Sequence, residues 1–502
     1  MRTEDTRRRL ALGALALAML TIGLDVTVLT VALPTLAVDL HANTAALQWF
    51  TGAYTLALAA LMLPAGALGD RYGRKKVLLG ALVLFGVASV ACAFAASSGQ
   101  LIAGRVVLGV AAAAMMPLSM AVLPVLFTDP AQRQRALTIW VTSTAIGLPL
   151  GPIVGGWLLE HYWWGSVFLI NVPLVVLGAL AVASLVPESH GDTGFRIDIT
   201  GAALSAAGML GLTYGFIRIG EQGWGEPLAW LCVGAGVALL TAFLAWQRRA
   251  AHPLIDVGLF AASGFRWGTV FSILVNFAMF GMFFTVPQYF QAVLGVDALG
   301  SGLRLLPMIG GVVLGSRLVD PLLPRIGVRA VLVGGFLVLA AGLGLGALTS
   351  VDSGYGLTAL WTTVLGTGMG LVMPAAMGLA MGELAANRAG AGSALLQALR
   401  QAGGTIGVAV LGTVLATRYR AELGPLDHAP IADGVNAGVA ATQGDPLRLA
   451  QVQHAFVTGM DTMLAVCAVL CVAAALGAMF VIGRGTSAPV IAEDAAESMH
   501  AG

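Results

Sequence analysis

The chain has 502 residues, of which 58% are hydrophobic and only 10% charged, with a formal net charge of +1 and a mean hydropathy of +0.89. That is too little polar surface to cover a water-soluble globule, and a near-neutral charge balance carries no electrostatic footprint for nucleic acid. The composition is that of an all-α polytopic membrane protein, with the lipid bilayer as its solvent.

Taken in chain order, apolar stretches near twenty residues predict about fourteen membrane-spanning helices, at 12–34, 47–68, 77–97, 101–127, 136–159, 166–186, 199–219, 228–246, 267–290, 301–323, 329–349, 355–381, 392–416 and 457–482. The first run has no small-residue cleavage site and holds an acid in its middle, so it reads as a retained helix and not a signal peptide. With the N-terminus inside, the cytoplasmic segments hold about eighteen Lys and Arg and the outer loops about four (Arg218, Arg418, Arg420 and Arg448), which by the positive-inside rule places both termini in the cytoplasm. Of the outer loops only 417–456 is long, and its Gly, Ala, Pro and Asp content suggests a flexible surface segment.

The first helix contains GLDVTVLTVALP (23–34). A carboxylate at mid-span costs roughly 2.5–3.5 kcal/mol on insertion scales, so Asp25 needs a reason to be there. One is proton exchange, in which the residue is neutral while sealed from water. The other is a permanent ion pair joining the first and fourth helices, for which Arg105, a lone cation near the outer start of the fourth, is the plausible partner. Arg105 must otherwise find carbonyls or water, or snorkel outward.

After the second helix comes GALGDRYGRKKVLL (66–79). Gly66 and Gly69 permit close helix approach, while Asp70 near a helix N-terminus can pair with a basic residue and latch one conformation. Plain topology anchoring accounts for Arg71, Arg74, Lys75 and Lys76, but not for Asp70, whose partner the sequence does not name. Gly73 belongs to the same loop. In the fifth helix GLPLGPIVGG (147–156) sets Gly147, Gly151, Gly155 and Gly156 beside Pro149 and Pro152. This gives a small-residue face and two missing backbone donors, hence a kinked and tightly packed helix.

The ninth helix reads SILVNFAMFGMFFTVPQYF (272–290). Phe277, Phe280 and Phe284 recur at helical spacing with Asn276 close by, and with Trp49 and Tyr54 of the second helix they are the candidates for a cavity that takes organic cations. Ordinary packing is the plainer account of the same stripe. Glu160, Asp320 and Asp461 are secondary acids. Arg317 and Asp320 are spaced to pair with each other, and Glu160 and Asp461 lie near outer helix ends, where hydration favours a structural role. The four cysteines all fall in apolar runs and read as small apolar filler.

The chain also repeats itself. DRYGRKKVLL (70–79) matches PRIGVRAVLV (324–333), aligning Arg71, Gly73 and Lys75 with Arg325, Gly327 and Arg329. Two six-helix bundles, 1–186 and 265–483, would put these loops in equivalent places, with an inserted helix pair and its linkers at 187–264 and a cytoplasmic tail at 484–502. Parallel halves of this kind suit a transporter that rocks about a midplane site.

GALGDRYGRKKVLL resembles the signature loop between the second and third helices of the major facilitator superfamily, and GLPLGPIVGG resembles its antiporter motif. LDVTVLTVALP, RVVLG (105–109) and WGSVFLINVP (164–173) are similar to the fourteen-helix drug:proton antiporters, in particular the branch exporting methyl viologen and quaternary ammonium compounds, although Ser166 stands where many relatives have a second Trp. The resemblance implies proton transfer through Asp25 and Arg105, a conformational gate at 66–74, and an exporter's seam between the halves at 147–156.

Other chemistries are excluded from the residues themselves. The only lysines, Lys75 and Lys76, are not in a Gly-Lys-Ser/Thr loop, so this chain does not drive transport with ATP, and no HExxH or buried Ser/His pairing suggests a hydrolase. The expectation is therefore a secondary transporter and not an enzyme: a monomeric, cofactor-free, metal-free, proton-coupled multidrug exporter of the inner membrane. A dedicated exporter of one antibiotic or metabolite, and a membrane sensor or scaffold without flux, are the rivals.

Overall fold

The structure, a computed structural model, describes residues 2–127, 129–190, 198–251, 253–382, 389–442 and 444–482; some helical side chains, including those of Pro149 and Asp320, lie outside the described set. The backbone is helical throughout its apolar stretches, as it must be where no water is present to satisfy N–H and C=O groups. The elements are α1 (Arg2–Asp39), α2 (Thr44–Tyr72), α3 (Arg74–Ala93), α4 (Ser98–Leu126), α5 (Pro130–His161), α6 (Ser166–Leu169), α7 (Asn171–Leu185), α8 (Ile199–Gln222), α9 (Pro227–Gln247), α10 (Ser263–Gln288), α11 (Ala298–Leu303), α12 (Leu306–Gly346), α13 (Tyr355–Gly382), α14 (Ala389–Leu423), α15 (Val435–Ala441) and α16 (Pro446–Val481). A π turn, Tyr289–Val293, continues α10, and short 3-10 turns lie at Val257–Ala261, Gly424–Leu426 and Ile431–Asp433.

Thirteen helical segments among the described residues are long and apolar enough to cross a membrane. With α5, a 32-residue helix packed among them, they account for the fourteen expected spans. Polar caps at the interfaces start several of these helices. Asn43, Ser97, Asp129, Asp198 and Asp297 each accept a hydrogen bond from a first-turn backbone N–H of α2, α4, α5, α8 and α11.

The first half packs α1 along α5 and α7, α2 along α4, and α3 along α4 and α7. The second half repeats the scheme, with α10 along α14 and α13, both limbs of α12 along α13, and α16 along α12 and α14. The matched decapeptides fall at equivalent turns. Gly73 (φ 108°) joins α2 to α3, and Gly327 (φ 78°) turns the chain inside α12, a conformation glycine adopts without a Cβ penalty. Each half has a buried core, the first of which also takes in Phe284, Ala398 and Val408 from the second half. Between them α8 pairs with α9 and lies against both α2 and α14.

The segment 417–456 is not the flexible loop expected. α14 runs on to Leu423, α16 begins at Pro446, and the connection between them is packed down: Ile431 and Val435 are 3% and 2% exposed. The Tyr419 hydroxyl donates to the Ile431 carbonyl (2.9 Å), and Asn436 Nδ2 donates to Gln288 Oε1 (3.1 Å). Composition alone did not reveal the alternation of buried apolar residues within it. The end of the molecule bearing this segment is called the loop side below, and the opposite end the terminus side.

Candidate transport site

Asp25 on α1 is completely buried, and so, within 1%, is Arg105 on α4. Arg105 Nη1 donates to Asp25 Oδ2 at 2.7 Å, and Asn171 Nδ2, at the first turn of α7, donates to Asp25 Oδ1 at 2.8 Å. The guanidinium also donates through Nε to the Phe50 carbonyl (2.9 Å) and lies 4.4 Å from the centre of the Tyr54 ring. The carboxylate thus has a counter-ion and a second donor, and the cation has a carbonyl and an aromatic face. This is the satisfaction a buried ion pair needs to be tolerated. Arg105 does not snorkel. Asn171, within the WGSVFLINVP stretch, escaped the sequence reading because a single amide in an apolar run has no partner until α1 and α7 are seen side by side.

The pair borders a cavity between the halves, with Arg105 in its lining and Asp25 behind Arg105. Thr27, Thr30, Thr51, Tyr54 and Thr55 line it from one half, and Phe280, Phe283 and Phe284 from the other. Its volume is about 20 Å³, room for about one water and far below the several hundred Å³ of a drug site. Tyr54, Phe280 and Phe284 are therefore at the cavity, whereas three other candidates are not. Trp49, like Phe216, packs against a small separate cluster of Ala45, Ile217 and Ala409. Phe277 packs into the core of the second half, its backbone against Gly407 of α14. Asn276 donates to the Arg400 carbonyl at 2.7 Å, tying α10 to α14. The i, i+3, i+7 spacing identified one helical stripe but not which side of it faces the gap.

The glycine motif of α5 divides between two partners. A Cβ on Gly147 would meet the Leu20 carbonyl at 2.8 Å, and one on Gly155 would meet Val28 Cγ2 at 2.7 Å; one on Gly151 would overlap Thr27 Oγ1 and come within 2.8 Å of Val28 N. These three seat α5 on α1 of the same half. Gly156 instead faces the other half, where a Cβ would meet Leu299 Cα of α11 at 2.5 Å, and Pro152, its neighbour on this helix, has its carbonyl against Gly302.

In the 66–74 loop, Gly69 lies against Leu118 and Gly66 against Pro117 of α4. Asp70 pairs with Arg74, one turn on, at 2.7 Å, and Arg74 Nη1 donates to the Ala121 carbonyl at 3.2 Å. Arg71 lies over the Tyr72 ring at 5.3 Å. Glu188 comes up against Gly73 and accepts from Lys75 N at 3.0 Å. Glu160 is exposed at the loop-side end of α5, Asp461 is half-buried on α16, and the Asp320 side chain lies outside the described residues.

How the halves close was not legible in the sequence. Hydrogen bonds tie the halves together from the level of Thr55 and Thr405 towards the loop side. Thr405 donates to Thr55 (2.6 Å), Gln48 Nε2 to the Val408 carbonyl (3.3 Å), Gln291 Nε2 to the Val31 carbonyl (3.0 Å) and Thr44 to the Asp433 carbonyl (2.9 Å). The inserted helix joins in. Asn43 Nδ2 donates to Glu221 Oε1 (3.1 Å), Arg420 donates to the Glu221 carbonyl, and Thr413 donates to the Phe216 carbonyl (2.5 Å).

Comparison with known proteins agrees with this arrangement. The chain is similar to the tetracenomycin C resistance and export protein of Streptomyces glaucescens (32% identical over 486 residues, 93% of this chain and 90% of that one). It is similar to the multidrug efflux pump LfrA of Mycolicibacterium smegmatis (31% identical, 95% and 96% covered) and, over 66% of this chain and 68% of the relative, to the methyl viologen resistance protein SmvA of Salmonella typhimurium (33% identical). A solved bacterial homologue of the lysosomal transporter Spinster, in an inward-facing conformation, has the same fold (TM-score 0.67, 18% identical, 95% and 97% covered). The pattern of the Major Facilitator Superfamily matches residues 15–408. The chain belongs to the Major Facilitator Superfamily, among its fourteen-helix drug exporters.

Proposed function

We propose that this exporter is proton-coupled and moves lipophilic cations outward across the inner membrane as a monomer, by alternating access. The observation that carries the reading is the buried Asp25–Arg105 pair, whose Arg105 lines a cavity to which both halves contribute. With Asp25 ionised the pair is neutral, and the aromatic wall can take a cation at about 0.5–2 kcal/mol per ring. A proton on Asp25 removes the counter-charge and leaves the Arg105 guanidinium uncompensated beside Tyr54, which repels a cationic substrate. Proton and drug then exclude one another, and that exclusion is the coupling.

The basic residues of the terminus side orient it to the cytoplasm, so the state described is closed to the outside. The halves of the chain at 1–186 and 265–483 rock about the cavity, with 187–264 attached at the loop side.

The test is dye efflux in inverted membrane vesicles, using matched cationic and neutral compounds. Efflux that collapses with the proton gradient and favours the cations supports the reading; gradient-independent or absent flux contradicts it. A dedicated exporter of one compound is the second reading, favoured by the likeness to a relative named for resistance to a single antibiotic. Protection against one chemotype only would select it.

A further inference from the structure

The inserted pair, α8 and α9, touches both halves but is not shared evenly between them. At the terminus side it is fastened to the second half. Gln247, the last residue of α9, is 3% exposed. Its Nε2 donates to Asp198 Oδ2 (2.8 Å), the carboxylate that caps α8, and its Oε1 accepts from Ile255 N (3.0 Å) on the stretch leading into α10. Beside this polar tie, Phe243 of α9, Ile255 and Leu259 form one buried cluster with Phe265 of α10, Ala380 of α13 and Leu395 and Leu396 of α14, and Leu204 of α8 packs against it.

At the loop side α8 is held to α14 through its own backbone. Thr413 donates to the Phe216 carbonyl (2.5 Å), Arg420 donates to the Glu221 carbonyl, and a Cβ on Gly220 would lie 3.3 Å from Thr413 Cα. The first half meets α8 through α2. Among the described residues the hydrogen bond between them is Asn43 Nδ2 to Glu221 Oε1 (3.1 Å), and beside it Trp49 and Phe216 flank the small cluster of Ala45, Ile217 and Ala409. A rigid pair fastened to one half at both ends, and to the other through one side-chain bond and a small cluster at one end, moves with the half that holds both ends.

We infer that α8 and α9 move as part of the second half, and that the contact of α2 with α8 is an outer layer of the loop-side gate. When that side opens, α2 leaves α8 together with α14, to which Gln48 and Thr55 bind it, while α8 stays on α14. The inserted pair thus widens the seam that must part in every cycle. The inference rests on the alternating-access part of the reading above, but not on drug coupling through Asp25.

The experiment joins α8 to one neighbour at a time, in a chain lacking its four native cysteines. Gly220→Cys with Thr413→Cys sets two Cβ atoms 3.6 Å apart, within disulfide range, so oxidation links α8 to α14. Asn43→Cys with Glu221→Cys, closed by a short bis-methanethiosulfonate, links α2 to α8, and Ala45→Cys with Ile217→Cys is a second pair for the same seam. Gradient-driven ethidium efflux from vesicles is measured before linkage, after it and after reduction, with linkage scored by loss of free thiol. Either α2 to α8 link should abolish efflux and reduction should restore it, whereas the α8 to α14 link should leave efflux at the level of its own reduced form. Efflux that survives the α2 to α8 links, or that is lost on linking α8 to α14, overturns this inference alone. Absence of gradient-driven efflux in the wild-type chain overturns alternating access and this inference with it.

Discussion

Asp25 Oδ2 lies 2.7 Å from Arg105 Nη1, with neither side chain more than 2% exposed. A buried pair of this kind contributes little net stability, but removing one partner strands the other charge. Arg105→Ala is expected to destabilise the protein by about 3–5 kcal/mol in detergent unfolding, and adding Asp25→Asn to it should recover a large part of that loss. Equal stability of the single and double variants would show that the two residues are not energetically coupled.

The glycine motif makes two different predictions along one helix. Gly151→Leu forces a side chain into Thr27 and Val28 of the same half and should lower stability together with export. Gly156→Leu meets α11 of the other half, so it should leave each half intact and prevent loop-side closure. The readout is maleimide labelling of Ala45→Cys, raised by Gly156→Leu at unchanged membrane level. Closure indistinguishable from wild type would remove Gly156 from the seam.

Asp70 and Arg74 form a half-exposed pair one turn apart, worth about 0–1 kcal/mol. Asp70→Asn should therefore leave the melting temperature within a few degrees of wild type. Any latch that Asp70 makes belongs to the other conformation, so the variant should slow turnover and change the cysteine accessibility of the terminus side. Unchanged efflux and accessibility together would leave only the anchoring role.

Glu221 is the point where the inserted helix reaches both halves, through Asn43 and Arg420. Glu221→Ala removes the bond to Asn43 Nδ2 but not the backbone carbonyl that Arg420 uses. It should raise loop-side labelling by a fewfold, in line with about 0.5–1.5 kcal/mol for one hydrogen bond. No change would reduce α8 to a spacer.

The fourteen spans, the two halves and the fold were legible in the sequence because lipid imposes length and composition on every span and because Gly73 and Gly327 repeat the same turn. Asp25 and Arg105 were visible as exceptions to an apolar background. Asn171 and Glu221 were not: each acquires its role from a partner far along the chain, and neither amide nor carboxylate departs from what a helix end or interface tolerates. Trp49 and Phe277 lie away from this small cavity, since a stripe at helical spacing marks a face without saying what covers it. Asp461 was read as hydrated from its place near a helix end; only the packing of α16 on its neighbours buries one of its oxygens.

The central claim is that Asp25 carries the proton whose binding excludes the drug. Asp25→Asn keeps the size and one acceptor oxygen of the side chain and cannot titrate. The most direct measurement is drug-induced proton release together with uphill export, in proteoliposomes carrying wild type or Asp25→Asn. The account predicts a variant that inserts normally and still binds drug but shows neither drug-induced proton release nor accumulation against a gradient. Proton-coupled uphill export retained by Asp25→Asn would contradict it.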